Sequence, residues 1–340
     1  MNTAHLDRLC ELFAPGGGTR QLSRVSGGFH HLMWRLDVAG VSYAIKQFAG
    51  DVEVADAATC ARLNATEVVA QEFADRGIPA LASLCHDKRH LQVIDDVGYL
   101  VFPWTDSKAR GRNDIAPYHL HTVAGILARM HRAQLKVDGL RAPPAWPHSV
   151  ESVTDLLALA QKRNVRDVNY LLERQAQLLA LVEKQPAAQA LLSRRETVSH
   201  GDLDHKNVLW SEAGQPLLID WESARPINPA YELLMEGLDW SGITAHFDFR
   251  PFEDFLLAYV EAGGAIAQEC ISAAFDAIVG TWINWMLYNV GRAAGLEGLS
   301  QRALGSSQVD LALSALLRLE KNIPRLQEIA CRLADGKKEG

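Results

Sequence analysis

The sequence predicts an α+β fold, a small antiparallel-sheet lobe followed by a large, mainly helical one. Three observations carry that reading. The first hundred residues hold short apolar, β-branched runs separated by glycines, which read as strands and turns. After Trp104 the apolar positions recur at three- and four-residue spacing, as on one face of a helix. A chain of 340 residues is also long enough for two lobes and a sizeable core. The boundary is drawn at 103/104, giving lobes of residues 1–103 and 104–340.

Taken in order, residues 4–14 form a short amphipathic helix, stopped by Pro15 and Gly16-Gly17-Gly18. VSGGFHHLMWRLDV (25–38) gives a strand, a glycine turn and a strand. GVSYAIKQF (40–48) adds a further strand around Lys46. Residues 52–75 are helical and end at Gly77 and Pro79, and residues 89–95 and 98–104 pair as a hairpin. Beyond Trp104, residues 117–135 form a helix, 141–148 a loop and 151–193 two helices. VLW (208–210) and PLLIDW (216–221) are strands on either side of a polar turn. From Tyr231 onward the pattern is helical, with loops near 246–251 and 295–306.

Composition narrows the function classes. The net charge of -7 argues against nucleic acid as a partner, because phosphate binding needs a basic surface. It is compatible with a cationic small molecule. The cysteines Cys10, Cys60, Cys85, Cys270 and Cys331 are scattered and odd in number, so buried, reduced thiols are expected rather than a metal site. The start, MNTAHLDRLCELF, lacks a basic segment followed by an apolar run. No stretch reaches the roughly 18 apolar residues of a membrane span. A cytoplasmic protein without a membrane partner is expected.

One stretch stands out. SHGDLDHKNVLW (199–210) gathers His200, Asp202, Asp204, His205, Lys206 and Asn207 before an apolar strand. The hairpin of 208–210 and 216–221 brings the end of this knot toward Asp220. Two carboxylates and an amide oxygen are hard ligands that suit Mg²⁺. Phosphoryl transfer needs a carboxylate for the attacking hydroxyl, oxygen ligands for Mg²⁺, a strand lysine for the phosphates and a glycine-rich cover. Asp202, then Asn207 with Asp220, then Lys46, then Gly27 and Gly28 supply that set.

The motifs also carry a family resemblance. HGDLDHKN resembles the HGDxxxxN signature of the aminoglycoside phosphotransferase and choline kinase-like family. LLIDWE resembles its metal-binding strand, YAIKQF its lysine strand and YLVFPW the hinge that takes the adenine. LARMH (127–131) and DWESARPINPAYEL (220–233) fit as well. The match runs from about residue 20 to 290. The HGD and DWE pair is specific, whereas a glycine turn alone is weak.

The resemblance implies a two-lobed protein-kinase-like fold, with an N-terminal nucleotide-binding lobe and a C-terminal catalytic lobe that carries a helical acceptor-binding subdomain. It implies ATP as donor, with GTP also compatible, and Mg²⁺. Asp202 would be the base, Asn207 and Asp220 the metal ligands, and Phe102, Pro103 and Trp104 the hinge. His200 would brace the loop. Lys46 would pair with a glutamate of the 52–75 helix, Glu67 or Glu72, with Glu67 favoured by its central position. Two positions depart from related patterns. Asp204 stands where protein kinases place a lysine, and Ile227-Asn228-Pro229 precedes the Ala230-Tyr231-Glu232 stretch.

The acceptor is less legible. Trp282, Trp285, Tyr288 and Asn289 share one face of a helix by spacing. Core packing and an acceptor wall both fit. Glu236, Asp239 and Trp240 pose the same choice, and Asp204 could meet a cationic acceptor. His30 and His31 read as turn residues. The leading expectation is a kinase of a small-molecule hydroxyl, on an aminoglycoside or other antibiotic, with a role in resistance, or on an amine-bearing metabolite. A protein serine/threonine kinase and a nucleotide-binding pseudokinase scaffold are the alternatives. The complete catalytic set argues against the scaffold.

Overall fold

A computed structural model describes residues 1–25, 31–50, 52–140, 145–243 and 248–335. The glycine turn with Gly27 and Gly28 lies outside the described residues. The chain divides into two compact units. The first comprises Met1–Gly111, Gln134–Ala142 and Val198–Pro226, and the second Arg112–Ala133, Pro143–Thr197 and Ile227–Gly340. The division therefore departs from a single cut at 103/104, because the 198–226 segment packs with the N-terminal sheet.

In the first unit, α1 (Thr3–Phe13) precedes β1 (Arg20–Val25), β2 (Leu32–Val38) and β3 (Val41–Gln47). The helix α2 (Ala57–Asp75) follows, then β4 (Gln92–Ile94) and β5 (Val97–Pro103). These strands form one antiparallel sheet in the order β1-β2-β3-β5-β4. The two-residue period of a strand sorts the side chains to opposite faces. Ile45, Tyr99 and Val101 pack with Leu9 and Cys10 of α1. Leu100 and Phe48 pack with Leu63 of α2. Each such buried side chain contributes roughly 1.5–3 kcal/mol. Lys46 lies beside Leu100 in the register, so it emerges on the α2 face. That helix starts later than the pattern suggests, because Asp56 caps it by accepting from the Thr59 N–H at 2.8 Å.

Two smaller sheets complete this unit. β6 (Lys108–Ala109), β8 (Val208–Trp210) and β9 (Pro216–Leu218) form one, and β7 (Thr197–Ser199) and β10 (Arg225–Ile227) the other. β9 is tied to the segment after α2. The Leu218 N–H donates to the Pro79 carbonyl at 2.7 Å and the Leu81 N–H to the Leu218 carbonyl at 2.8 Å. Phe73 of α2 packs against Trp221, with ring centroids 5.6 Å apart.

The second unit is helical: α3 (Pro117–Ala133), α4 (Val150–Lys162), α5 (Val168–Glu173), α6 (Gln175–Leu192), α7 (Pro229–Trp240), α8 (Phe249–Glu261), α9 (Ile271–Ala293) and α10 (Arg302–Asp335). The 151–193 region holds three helices rather than two: Asn164 and Asp167 turn left-handed (φ 52° and 62°) between α4 and α5, and Arg174, with φ -106° and ψ 12°, leaves helical geometry between α5 and α6. Asn228 caps α7, its side chain accepting from the Ala230 and Tyr231 N–H groups. Gln268–Ala293 is long and apolar enough to cross a membrane, contrary to the expectation of no such stretch. However, 61% of its most apolar window is buried in the fold, and a helix enclosed by others is apolar all round. Cys10 and Cys270 are buried as expected, but Cys85 is exposed.

Candidate active site

The 199–210 loop turns on Gly201, whose φ is +76°, a region that glycine occupies at no steric cost. A β-carbon there would sit 2.5 Å from the Ser223 carbonyl oxygen. Asp204 shapes the next turn: its side chain accepts from the Lys206 N–H at 2.8 Å and its carbonyl from the Asn207 N–H at 3.0 Å. The Asn207 amide donates to the Asp202 carbonyl at 2.8 Å and the Asp202 carboxylate at 3.0 Å. The Asn207 carbonyl in turn accepts from the Ile219 N–H at 3.0 Å, which sets Asp220 next to the loop. His200, fully buried, reaches the Ile219 carbonyl with Nε2 at 3.0 Å and lies against Trp221. It braces two backbone segments.

The electrostatics single out Asp202. Burial raises its carboxyl above the usual range, and the Asp204 carboxylate adds to this, with Asp220 contributing further. Asp220 itself has φ 64° and ψ 60°, a left-handed conformation uncommon for a residue with a side chain. The residue stands between β9 and the 3₁₀ turn Trp221–Ser223.

Lys46 is buried and bonds the Asp220 carboxylate at 2.8 Å. It also pairs with Glu222. Burial alone would lower the lysine's pKa, but the Glu222 and Asp220 carboxylates overcome it and hold the value above the ordinary one. For Glu222, burial is likewise overcome by the His31 hydrogen bond and the Lys46 charge, which bring its carboxyl down to about 2.

The expected ion pair between Lys46 and Glu67 is replaced by this arrangement. Glu67 is almost fully buried and accepts from the Ser83 N–H at 2.8 Å. Burial pushes it up to about 7, despite the nearby Ser83 and Lys46 groups. Glu72 pairs with Arg76 at the surface. Glu222 and His31 are the residues that sequence reasoning missed. A usable signal was present, since a buried lysine requires charge compensation and Glu222 lies two residues beyond Asp220.

A hard-oxygen donor set remains. The Asn207 nitrogen is spent on Asp202, which leaves its amide oxygen as acceptor. Asp220 gives Oδ1 to Lys46, and its side chain is 44% exposed. The second Asp220 oxygen and the Asn207 amide oxygen fit Mg²⁺ chemically. At the proposed hinge, the Trp104 N–H donates to the Ser42 carbonyl at 3.1 Å, and Arg35 lies over the Trp104 ring. Phe102 packs on the α2-side core, and Pro103 ends β5.

The acceptor candidates fall on the second unit, apart from Asp204. Asp204 pairs with Lys206 at 2.6 Å, and Asp239 pairs with Arg112 at 3.0 Å. Glu236 and Trp240 are buried in α7. On α9, Trp285 and Tyr288 are exposed and stack at 5.8 Å, with Arg292 over Tyr288. Trp282 is half-buried. Asn289 is fully buried and departs from the shared face that the spacing suggested. Turning inward, it donates to the Trp285 carbonyl at 2.8 Å.

Residues 21–272 match the phosphotransferase enzyme family. The chain belongs to that family. A search of curated proteins by sequence finds no match. Solved structures share the fold of this phosphotransferase. A spectinomycin phosphotransferase in complex with ADP and spectinomycin aligns with a TM-score of 0.67 at 14% identity, over 94% of this chain and 98% of that one. The choline kinase LicA from Streptococcus pneumoniae aligns at 0.59 and 18% identity, over 92% and 99% of the two chains. An aminoglycoside phosphotransferase from Alicyclobacillus acidocaldarius aligns at 0.55 and 16%, over 93% and 95%. The two-lobed, protein-kinase-like fold expected from the motifs is the fold of the phosphotransferase family to which this chain belongs.

Proposed function

We propose that this phosphotransferase moves the γ-phosphoryl group of ATP to a hydroxyl of a small, amine-bearing molecule. The observation that carries the reading is the loop in which Asn207 holds Asp202 while Lys46 and Asp220 pair beside it. Asp202 accepts the proton of the attacking hydroxyl. The hydroxyl oxygen then bonds to the γ-phosphorus, the bond from that phosphorus to the bridging oxygen breaks, and ADP leaves. The raised Asp202 carboxyl is a stronger base than an exposed aspartate. Lys46 orients the phosphates from β3. Asn207 and Asp220 would hold Mg²⁺, which supplies charge neutralisation on the phosphate oxygens.

A small-molecule acceptor is favoured over a protein side chain because the structures of similar fold are spectinomycin, aminoglycoside, choline and ethanolamine kinases. Choline is a cation and ethanolamine an amine. The net charge of -7 supports the same chemistry. The experiment is ATP consumption with Mg²⁺ against a panel of amino alcohols, aminoglycosides and neutral sugars. Turnover with an amine-bearing hydroxyl compound supports the proposal. Turnover with peptides alone would replace it by a protein kinase.

A further inference from the structure

The geometry points to Glu222 and His31, rather than a glutamate of α2, as the clamp that positions Lys46 on the nucleotide phosphates. This inference rests on the nucleotide reading above and adds two positioning residues to it. Four contacts form one chain. The Ala49 N–H donates to His31 Nδ1 at 3.2 Å. That ring nitrogen therefore carries no proton, and Nε2 must carry one. His31 Nε2 lies 3.3 Å from the Glu222 carboxylate, so it donates there. Glu222 pairs with Lys46, and Lys46 bonds Asp220 at 2.8 Å.

The chain closes on itself through the backbone. Ala49 lies two residues beyond the end of β3, the strand that carries Lys46, and His31 immediately precedes β2. The ring of His31 also rests edge-on against Phe48 at 4.8 Å. Glu222 thus takes its place from the start of β2 and the end of β3, the strand that carries the lysine. Its own backbone belongs to the turn after Asp220, a 3₁₀ turn over Trp221–Ser223. Trp221 anchors that turn by donating to the Leu218 carbonyl at 3.3 Å and packing on Phe73.

Glu67 is placed differently. Its Oε2 is engaged by the Ser83 N–H, and the side chain is sealed in the α2 core. A lysine held between Asp220 and Glu222 keeps its ammonium at the loop that carries Asp202. If Glu222 is lost, Lys46 retains Asp220 as partner but loses the contact that fixes it laterally. His31 bears on Lys46 through Glu222 and through the Phe48 ring, over which the Lys46 ammonium lies at 5.8 Å.

The test measures binding of ATP and of adenosine by calorimetry, with Mg²⁺ present. Adenosine has no phosphates, so a lysine clamp cannot affect it, whereas general damage to the lobe lowers both affinities. Truncating one member of a buried charge pair is costly. Glu222→Gln is expected to weaken ATP about tenfold and His31→Ala about threefold, with adenosine unchanged. His31→Gln, which retains an N–H donor, is expected to restore most of the ATP affinity. Glu67→Gln is expected to weaken ATP less than Glu222→Gln does. The clamp is overturned if Glu67→Gln has the larger effect, if Glu222→Gln leaves ATP affinity intact, or if adenosine is lost in parallel. If the unaltered protein binds no ATP, the nucleotide reading fails and the clamp fails with it. Normal ATP binding by the unaltered protein with an inert Glu222→Gln defeats the clamp alone.

Discussion

Asn207 commits its amide nitrogen to Asp202, at 2.8 Å to the backbone carbonyl and 3.0 Å to the carboxylate. The two residues thus form one unit, in which the amide fixes the carboxylate and frees its own oxygen. Asp202→Asn is expected to cut phosphoryl transfer by about 10²–10⁴-fold, the usual contribution of a general base. ATP affinity should stay close to that of the parent. Near-parental turnover in this variant would remove Asp202 from the base role.

Asn207 and Asp220 should separate in their effects. Asp220→Ala is expected to abolish Mg²⁺-dependent turnover and to free Lys46 of one partner. Asn207→Ala should weaken turnover and also release Asp202. Calorimetric titration of ATP with and without Mg²⁺ checks both. Parental Mg²⁺ enhancement of ATP binding in Asp220→Ala excludes this carboxylate as a ligand.

Gly201 offers a test confined to backbone geometry. Its φ of +76° and the nearby Ser223 carbonyl and Arg225 guanidinium leave no place for a methyl group. Gly201→Ala is expected to cost more than about 1 kcal/mol of stability and to displace the Asp202 loop. Urea unfolding read by tryptophan fluorescence gives the first quantity, and turnover the second. A variant with parental values in both would show that the loop adapts.

Glu67 links stability to pH. Its carboxyl has an ordinary value of 4.5 and is raised to about 7 in the fold. Between these values the native state retains a proton that the unfolded chain releases, so stability falls as pH rises through this window and levels off above it. The loss is on the order of 3 kcal/mol. Glu67→Gln should remove this slope. Urea midpoints at pH 5 and pH 8 for the two proteins make the comparison, and parallel slopes would contradict it.

The acceptor's charge can be read from salt dependence. For an amine-bearing acceptor, KM should rise with ionic strength, because screened carboxylates attract it less. A KM that is flat in salt favours a neutral acceptor.

Much of the fold was legible because the signals are local. The shift from alternating to helical periodicity near Trp104 marks the sheet and helices, and HGDLDHKN with LLIDWE locates the loop and its neighbouring strand. Long-range pairing was not legible. Glu67 and Glu222 are both acidic, and only packing decides that one is sealed beside Ser83 while the other reaches Lys46. His31 reads as a turn histidine until Glu222, far along the chain, is brought to it. The Asn289 side chain turns inward because α9 is surrounded on that face, which spacing alone does not reveal.

The bonds between β9 and the Pro79–Leu81 segment bear on how the chain is assembled. Leu218 is joined to residues about 140 positions earlier, a long loop to close before any contact repays it. During synthesis the N-terminal sheet emerges with the Pro79 carbonyl and Leu81 N–H still awaiting their partner. Asp220 is therefore set in place only after the helices between have left the ribosome. A chain stopped at residue 111 would leave these two backbone groups without the partner that β9 supplies. The two lobes named from the sequence are for this reason not interchangeable modules: exchanging the first hundred residues for those of a distant relative would also have to transplant the partner strand.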